Sequence, residues 1–426
     1  MTRVTKMICE FIILLGAGCL LLVLVQFLPA DRIRYHIEES ALRLAEEGDY
    51  PYVGSCEQAF LVDNWTEATL LTFNYTSDTS RPIYSAFIAT SYMPPNSTGV
   101  SRLQAVISEN WREKEDYIST RGVNWIGYNV FLRLGLCFLN MAELRVILNI
   151  VSYSVVFLTL LMIYRYQGGY KAFGIGITLL LFNFYTLSVC WSLGVFCVLV
   201  ACIVIMFFLN RSANLDYFNA MFVVGIITAY FDWLSIPLIT WGLPIGIILA
   251  KEYQERNSDR FKPYFMLLLK TGAGWCLGYI LMTLSKTAIA VGIQGKEAWD
   301  FFTERLAADT NTQSLKQFCI AVYKLILSIS PFNVFPEESV VPAMIVGVAF
   351  LLQIVVVVRY RKMRAMNLAY MLVGFAPFVY YVYAKGHIGH VAIEFRSLMI
   401  SCYALWLSWE PIYCEIVKNN IRKRNA

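Results

Sequence analysis

Residues 7–29, MICEFIILLGAGCLLLVLVQFLP, hold one acid, Glu10, and one amide, Gln26, among otherwise apolar or small side chains. As an α-helix this stretch is long enough to cross about 30 Å of hydrocarbon. It follows a short basic start, Arg3 and Lys6, exceeds a signal-peptide core in length and has no clear small-residue cleavage site, so it reads as a retained signal anchor. Comparable blocks recur at about 143–164, 172–189, 191–209, 215–231, 235–250, 264–291, 341–358, 368–383 and 397–409. The expectation is an all-α integral membrane protein of about ten transmembrane helices.

The composition agrees. The 426 residues are 58% hydrophobic and 15% charged, with mean hydropathy +0.55, whereas soluble domains carry about 25% charged residues. Disorder, a collagen-like repeat, a disulfide miniprotein and a soluble enzyme are excluded. A net charge of +5 implies no nucleic-acid partner. Cys9, Cys19, Cys190, Cys197, Cys202, Cys276 and Cys402 lie inside apolar runs, where a thiol acts as a small hydrophobe.

With the N-terminus inside, the basic residues fall where even-numbered helices end: Arg165 and Lys171, Arg211, Lys251 to Lys262, Arg359 to Arg364, and Lys418 to Arg424. The positive-inside rule then sets both termini in the cytoplasm and the working face outside a plasma (inner) membrane. The chain divides into a first helix (1–30), a large outer loop (31–128), helices two to seven (129–291), a second outer loop (292–340) and helices eight to ten with a basic tail (341–426). The first loop is too long for a turn and predicts a small folded or membrane-hugging element. In the second, 314–330 reads as an interfacial or re-entrant helix.

Ionisable residues at membrane depth are costly and therefore functional candidates. Asp232 sits at the outer end of the fifth helix, Lys286 near the outer end of the seventh, and His387, His390, Glu394 and Arg396 fill the loop before the last. Arg121 and Arg133 flank the entry to the second. Together the cations describe an outer pocket for a phosphate or pyrophosphate. In the first outer loop Glu57, Asp63 and Glu67 surround an apolar-flanked segment, and the spacing of the last two puts both carboxylates on one helix face. A carboxylate there can take a proton from an attacking hydroxyl. Trp65, Trp125, Tyr128 and Trp233 suit sugar faces as well as membrane belts. Sequons begin at Asn64, Asn74 and Asn96. His-x-x-His alone completes no metal site, and no metal is assigned.

The stretches 61–68 (LVDNWTEA), 125–133 (WIGYNVFLR), 229–238 (AYFDWLSIPL), 274–282 (GWCLGYILM) and 390–396 (HVAIEFR) resemble a group of bacterial multi-helix membrane proteins that look like GT-C glycosyltransferases. That group has a histidine where Ile126 stands, a proline at Leu134 and a paired histidine at Gly386, while His390 and Arg396 keep its spacing. The resemblance implies inverting sugar transfer from a polyprenyl-phosphate carrier to an extracytoplasmic glycan, lipid or protein acceptor, with no cofactor. Asp63 would be the base, with Glu67 or Glu57 orienting it. Lys286, His387, His390 and Arg396 would hold the carrier phosphate, and Asp232, Trp125 and Tyr128 the sugar. A flippase or transporter of lipid-linked oligosaccharide, a polysaccharide polymerase or ligase, and a membrane scaffold stand as rivals.

Overall fold

The computed structural model describes residues 2–51, 61–109, 111–192, 194–210, 215–232, 236–256, 259–309, 314–336, 338–383 and 391–424. Each apolar block contains helix. Among the described residues, five helical stretches are long and apolar enough to cross a membrane: Arg3–Phe27, Met141–Gln167, Phe261–Gln294, Val341–Arg359 and Arg364–Val382. The chain is an all-α membrane protein.

The first span is α1 (Arg3–Leu24), closed by one 3-10 turn, and the segment that the sequence reading expects outside follows directly as one element, the outer element. It comprises α2 (Ala30–Glu47), α3 (Asn64–Tyr75), α4 (Pro82–Phe87), β1 (Ala89–Tyr92), α5 (Gly99–Ser108) and β2 (Ile118–Arg121). In α2 the residues Ile33, Ile37, Ala41 and Leu44 recur at helical spacing and are buried, which lays the helix on α3 and α5. The strands pair antiparallel, with Ala89 opposite Arg121 and Tyr92 opposite Ile118. Four-residue strands carry too short an alternation to stand out in sequence. Asn64 and Asn74 are buried and hydrogen-bonded inside this element, so their sequons present no glycan acceptor, whereas Asn96 is exposed.

The chain re-enters the bundle through α6 (Asn129–Leu136) and α7 (Met141–Gln167), whose start is fixed by a reciprocal cap between Asn140 and Glu143. The next apolar block is broken: α8 (Gly169–Leu181) ends before Asn183, which sits left-handed at φ 53°, and α9 (Phe184–Ser188) is a single short turn. Then come α10 (Val195–Asn210), α11 (Tyr217–Phe231), α12 (Ile239–Arg256) and the long α13 (Phe261–Gln294). Beyond them lie α14 (Lys296–Asp309), α15 (Leu315–Leu327), α16 (Val341–Arg359), α17 (Arg364–Tyr383), α18 (Val391–Glu394), α19 (Met399–Ser408) and α20 (Glu410–Arg424).

The tightest seam joins α11 to α13. A Cβ on Gly225 would meet the Trp275 carbonyl oxygen, and one on Gly278 the Phe222 carbonyl oxygen, so the two backbones touch where side chains normally stand. Such close approach is how helices gain packing where lipid removes any hydrophobic preference for association. We expect Gly278→Leu to destabilise the fold by about 1–3 kcal/mol or more through overpacking. A lowered unfolding temperature in detergent checks this, with Gly292→Leu, which has open space, as control.

Candidate functional site

The site starts at α3. Asp63 precedes the helix rather than lying on its face, because a short carboxylate competes well for the unpaired N–H groups of a first turn. Its Oδ1 accepts from the Thr66 backbone N–H at 2.9 Å and its Oδ2 from the Thr66 hydroxyl at 2.5 Å. Asp63 is 4% exposed.

One turn on, Glu67 is wholly buried and fully engaged. Its Oε1 accepts from the Trp191 backbone N–H at 2.7 Å, and its Oε2 from Arg145 Nε at 2.9 Å and Arg145 Nη2. The same guanidinium reaches Glu47 Oε2 at 3.0 Å and Asn64 Oδ1 at 2.5 Å, while Asn64 Nδ2 donates to Glu47 and to the Gly48 carbonyl. Glu67 thus positions α3 against α7 and the α9–α10 junction; its carboxylate is not a second base beside Asp63.

Around Asp63 other groups converge from distant elements. Arg396, just past α18, is buried and donates to the Thr186 hydroxyl of α9 at 3.0 Å, within electrostatic reach of Asp63 and Cys190. Asp232 ends α11, accepts from the Tyr279 hydroxyl at 3.1 Å and feels Glu394, itself 1% exposed. Tyr128 stacks its ring on Phe196 with centroids 5.4 Å apart. Its buried hydroxyl has no partner among the described residues and lies in the field of Asp63, Glu67 and Asp232. An unmet buried hydroxyl costs about 1–3 kcal/mol, which a bound ligand or water can recover. A carboxylate, a guanidinium and a tyrosine hydroxyl, all buried, are groups that can bind sugar hydroxyls and an anion and remove a proton.

Two expected members lie elsewhere. Lys286 is buried but donates to the carbonyls of Phe87, at 2.6 Å, and Gly122, with its ammonium 5.8 Å from the Phe87 and Trp125 ring centroids. Trp125 spends its indole N–H on the Met282 carbonyl at 2.7 Å and packs on Tyr230. Both bolt the outer element to α13, so the expected single cationic pocket of Lys286 with Arg396 does not form. Arg133 is likewise buried, donating to the Val25 carbonyl at 2.8 Å and to Asn74. Glu57, Trp233, His387 and His390 lie outside the described residues. Sequence reasoning overlooked Arg145 and Glu47. A guanidinium inside the apolar block 143–164 is the signal that would have found the first.

No family model, curated protein or solved structure matches this chain.

Two outcomes follow. Arg145→Gln leaves Glu67 buried without its cation and should cost about 3–5 kcal/mol, part of it recovered in the double variant with Glu67→Gln; unfolding in detergent measures both. Burial works to raise the Glu47 carboxyl, but the Arg145 charge and hydrogen bonds from Arg145, Asn64 and Arg43 outweigh it and hold the group below the ordinary carboxylate value. Its stabilising effect is therefore complete above the unfolded value of about 4.3 and lost as pH falls through the folded one. An acid scan should show a steeper loss of unfolding temperature in the parent than in Glu47→Gln.

Proposed function

We propose that this chain is a GT-C-like membrane glycosyltransferase with ten spans, moving a sugar from a polyprenyl-phosphate carrier to an extracytoplasmic acceptor. The observation that carries the reading is that Asp63 and Arg396, both buried, meet the same short segment: Cys190 Sγ lies 4.0 Å from the Asp63 carbonyl and Arg396 donates to the Thr186 hydroxyl at 3.0 Å. Charges so buried are expensive, and a base beside an anion-binding guanidinium is what this chemistry requires.

In the reaction, the acceptor oxygen bonds to the anomeric carbon as the bond from that carbon to the carrier phosphate breaks. The electron pair leaves with the phosphate, and configuration inverts. Asp63, aimed by its two bonds from Thr66, takes the acceptor proton. Arg396, with His387 and His390, meets the charge growing on the departing phosphate. Tyr128 and Asp232, with Glu57, contact the sugar. Lys286 and Trp125 take no part in this centre. The donor, an acceptor and membrane lipids are the partners.

Transport of a lipid-linked oligosaccharide is favoured by one feature, the helix broken at Asn183 beside Arg396's partner Thr186, since discontinuous helices mark substrate sites in transporters. The two readings separate on Asp63. With radiolabelled polyprenyl-phosphate sugars and the full chain in nanodiscs, Asp63→Asn should lower transfer about 100-fold or more while donor binding persists. A folded Asp63→Asn that transfers sugar like the parent contradicts the assignment. Donor binding with no transfer by the parent favours transport.

A further inference from the structure

At the far end of α3 from Asp63, about 17 Å along the helix at 1.5 Å per residue, the outer element and the bundle form a cavity of about 40 Å³. Its walls include Arg133 and Lys286 together with Gln26, Asn74, Ser77 and Asn129, and no Asp or Glu among the described residues lines it. Both cations are buried, at 1% and 2% exposure. Neither has a carboxylate partner among the described residues: Arg133 uses Nε and Nη1 on the Val25 carbonyl and on Asn74, and Lys286 uses two donors on the Phe87 and Gly122 carbonyls.

Donors are left over. An arginine carries five N–H groups and an ammonium three. Arg133 Nη2 has no acceptor among the described residues, nor does the amide nitrogen of Asn129, whose Oδ1 accepts from Asn74 Nδ2 at 2.7 Å. Lys286 keeps a third N–H beyond its two carbonyls. Two buried basic side chains with spare donors, and no carboxylate beside them among the described residues, form an arrangement that an anion would complete. The void is about three times the 10–15 Å³ that one water needs, enough for a small oxyanion.

We propose that the Arg133–Lys286 cavity is an oxyanion site that takes a phosphate group, as inorganic phosphate or as the phosphomonoester head of a lipid. It is separate from the Asp63–Arg396 centre and does not rest on the transfer reading. Filled, it would tie α1, α3, α6 and α13 together at the seam where the outer element meets the bundle.

The test uses the full chain in a phosphate-free maltoside detergent and follows the unfolding temperature against inorganic phosphate, against phosphatidic acid in mixed micelles, and against chloride at matched ionic strength. We expect a saturable rise with phosphate or phosphatidic acid that chloride does not give. A response to inorganic phosphate identifies the free ion as sufficient, and a response to phosphatidic acid alone identifies a lipid head. Lys286→Met should raise the half-saturating concentration at least 10-fold. Because that variant also loses two carbonyl contacts, Ala86→Leu is run beside it: it fills the cavity, leaves both cations in place, and should abolish the response. Absence of any response beyond that of chloride in the parent, or an undiminished response in folded Ala86→Leu, overturns the site.

Discussion

Arg145 reaches from the first turns of a membrane-spanning helix into the outer element and closes on two carboxylates, one of them completely buried. A carboxylate such as Glu67 can be removed from water at this depth only with a cation and further donors around it, and Arg145 with the Trp191 N–H supplies them. That knot sets where α3 lies, since Glu67 sits on its first turn and Asn64 belongs to the same network. Everything chemically interesting then follows from α3, with Asp63 at its start and the Asn74 side chain near its end. The outer element is thereby an integral part of the bundle.

The remaining charges fall into two groups with different partners. Asp63 and Arg396 meet the segment around Thr186 and Cys190, while Asp232 and Glu394, buried on other elements, lie within electrostatic reach of each other. Cations gather at the far end of α3, where Arg133 and Lys286 are bonded to backbone carbonyls instead of carboxylates. Carbonyl partners satisfy hydrogen bonds without cancelling charge. This difference in partners underlies the two separate roles proposed for the two regions.

The helical membrane class was legible because unbroken apolar length survives any tertiary arrangement. Asp63, Asp232, Tyr128 and Arg396 stand out in the sequence as polar groups at the edges of apolar blocks, and all four are buried. What sequence could not reveal was partnership. Arg145 and Glu67 are 78 residues apart, and the carbonyls that hold Lys286 have no residue signature at all. Lys286 and Arg396 therefore looked like one pocket and fold into two places. The break at Asn183 was hidden because the flanking residues remain apolar, and the short β1–β2 pair because four residues carry too little alternation.

The measurement that bears most directly on this account is a cryo-electron microscopy structure of the full chain in nanodiscs with a polyprenyl-phosphate sugar. The account predicts the sugar-phosphate junction between Asp63 and Arg396, with the Tyr128 hydroxyl hydrogen-bonded to the ligand. A donor seated elsewhere, with that centre closed on its own side chains and the Tyr128 hydroxyl still without a partner, would contradict it.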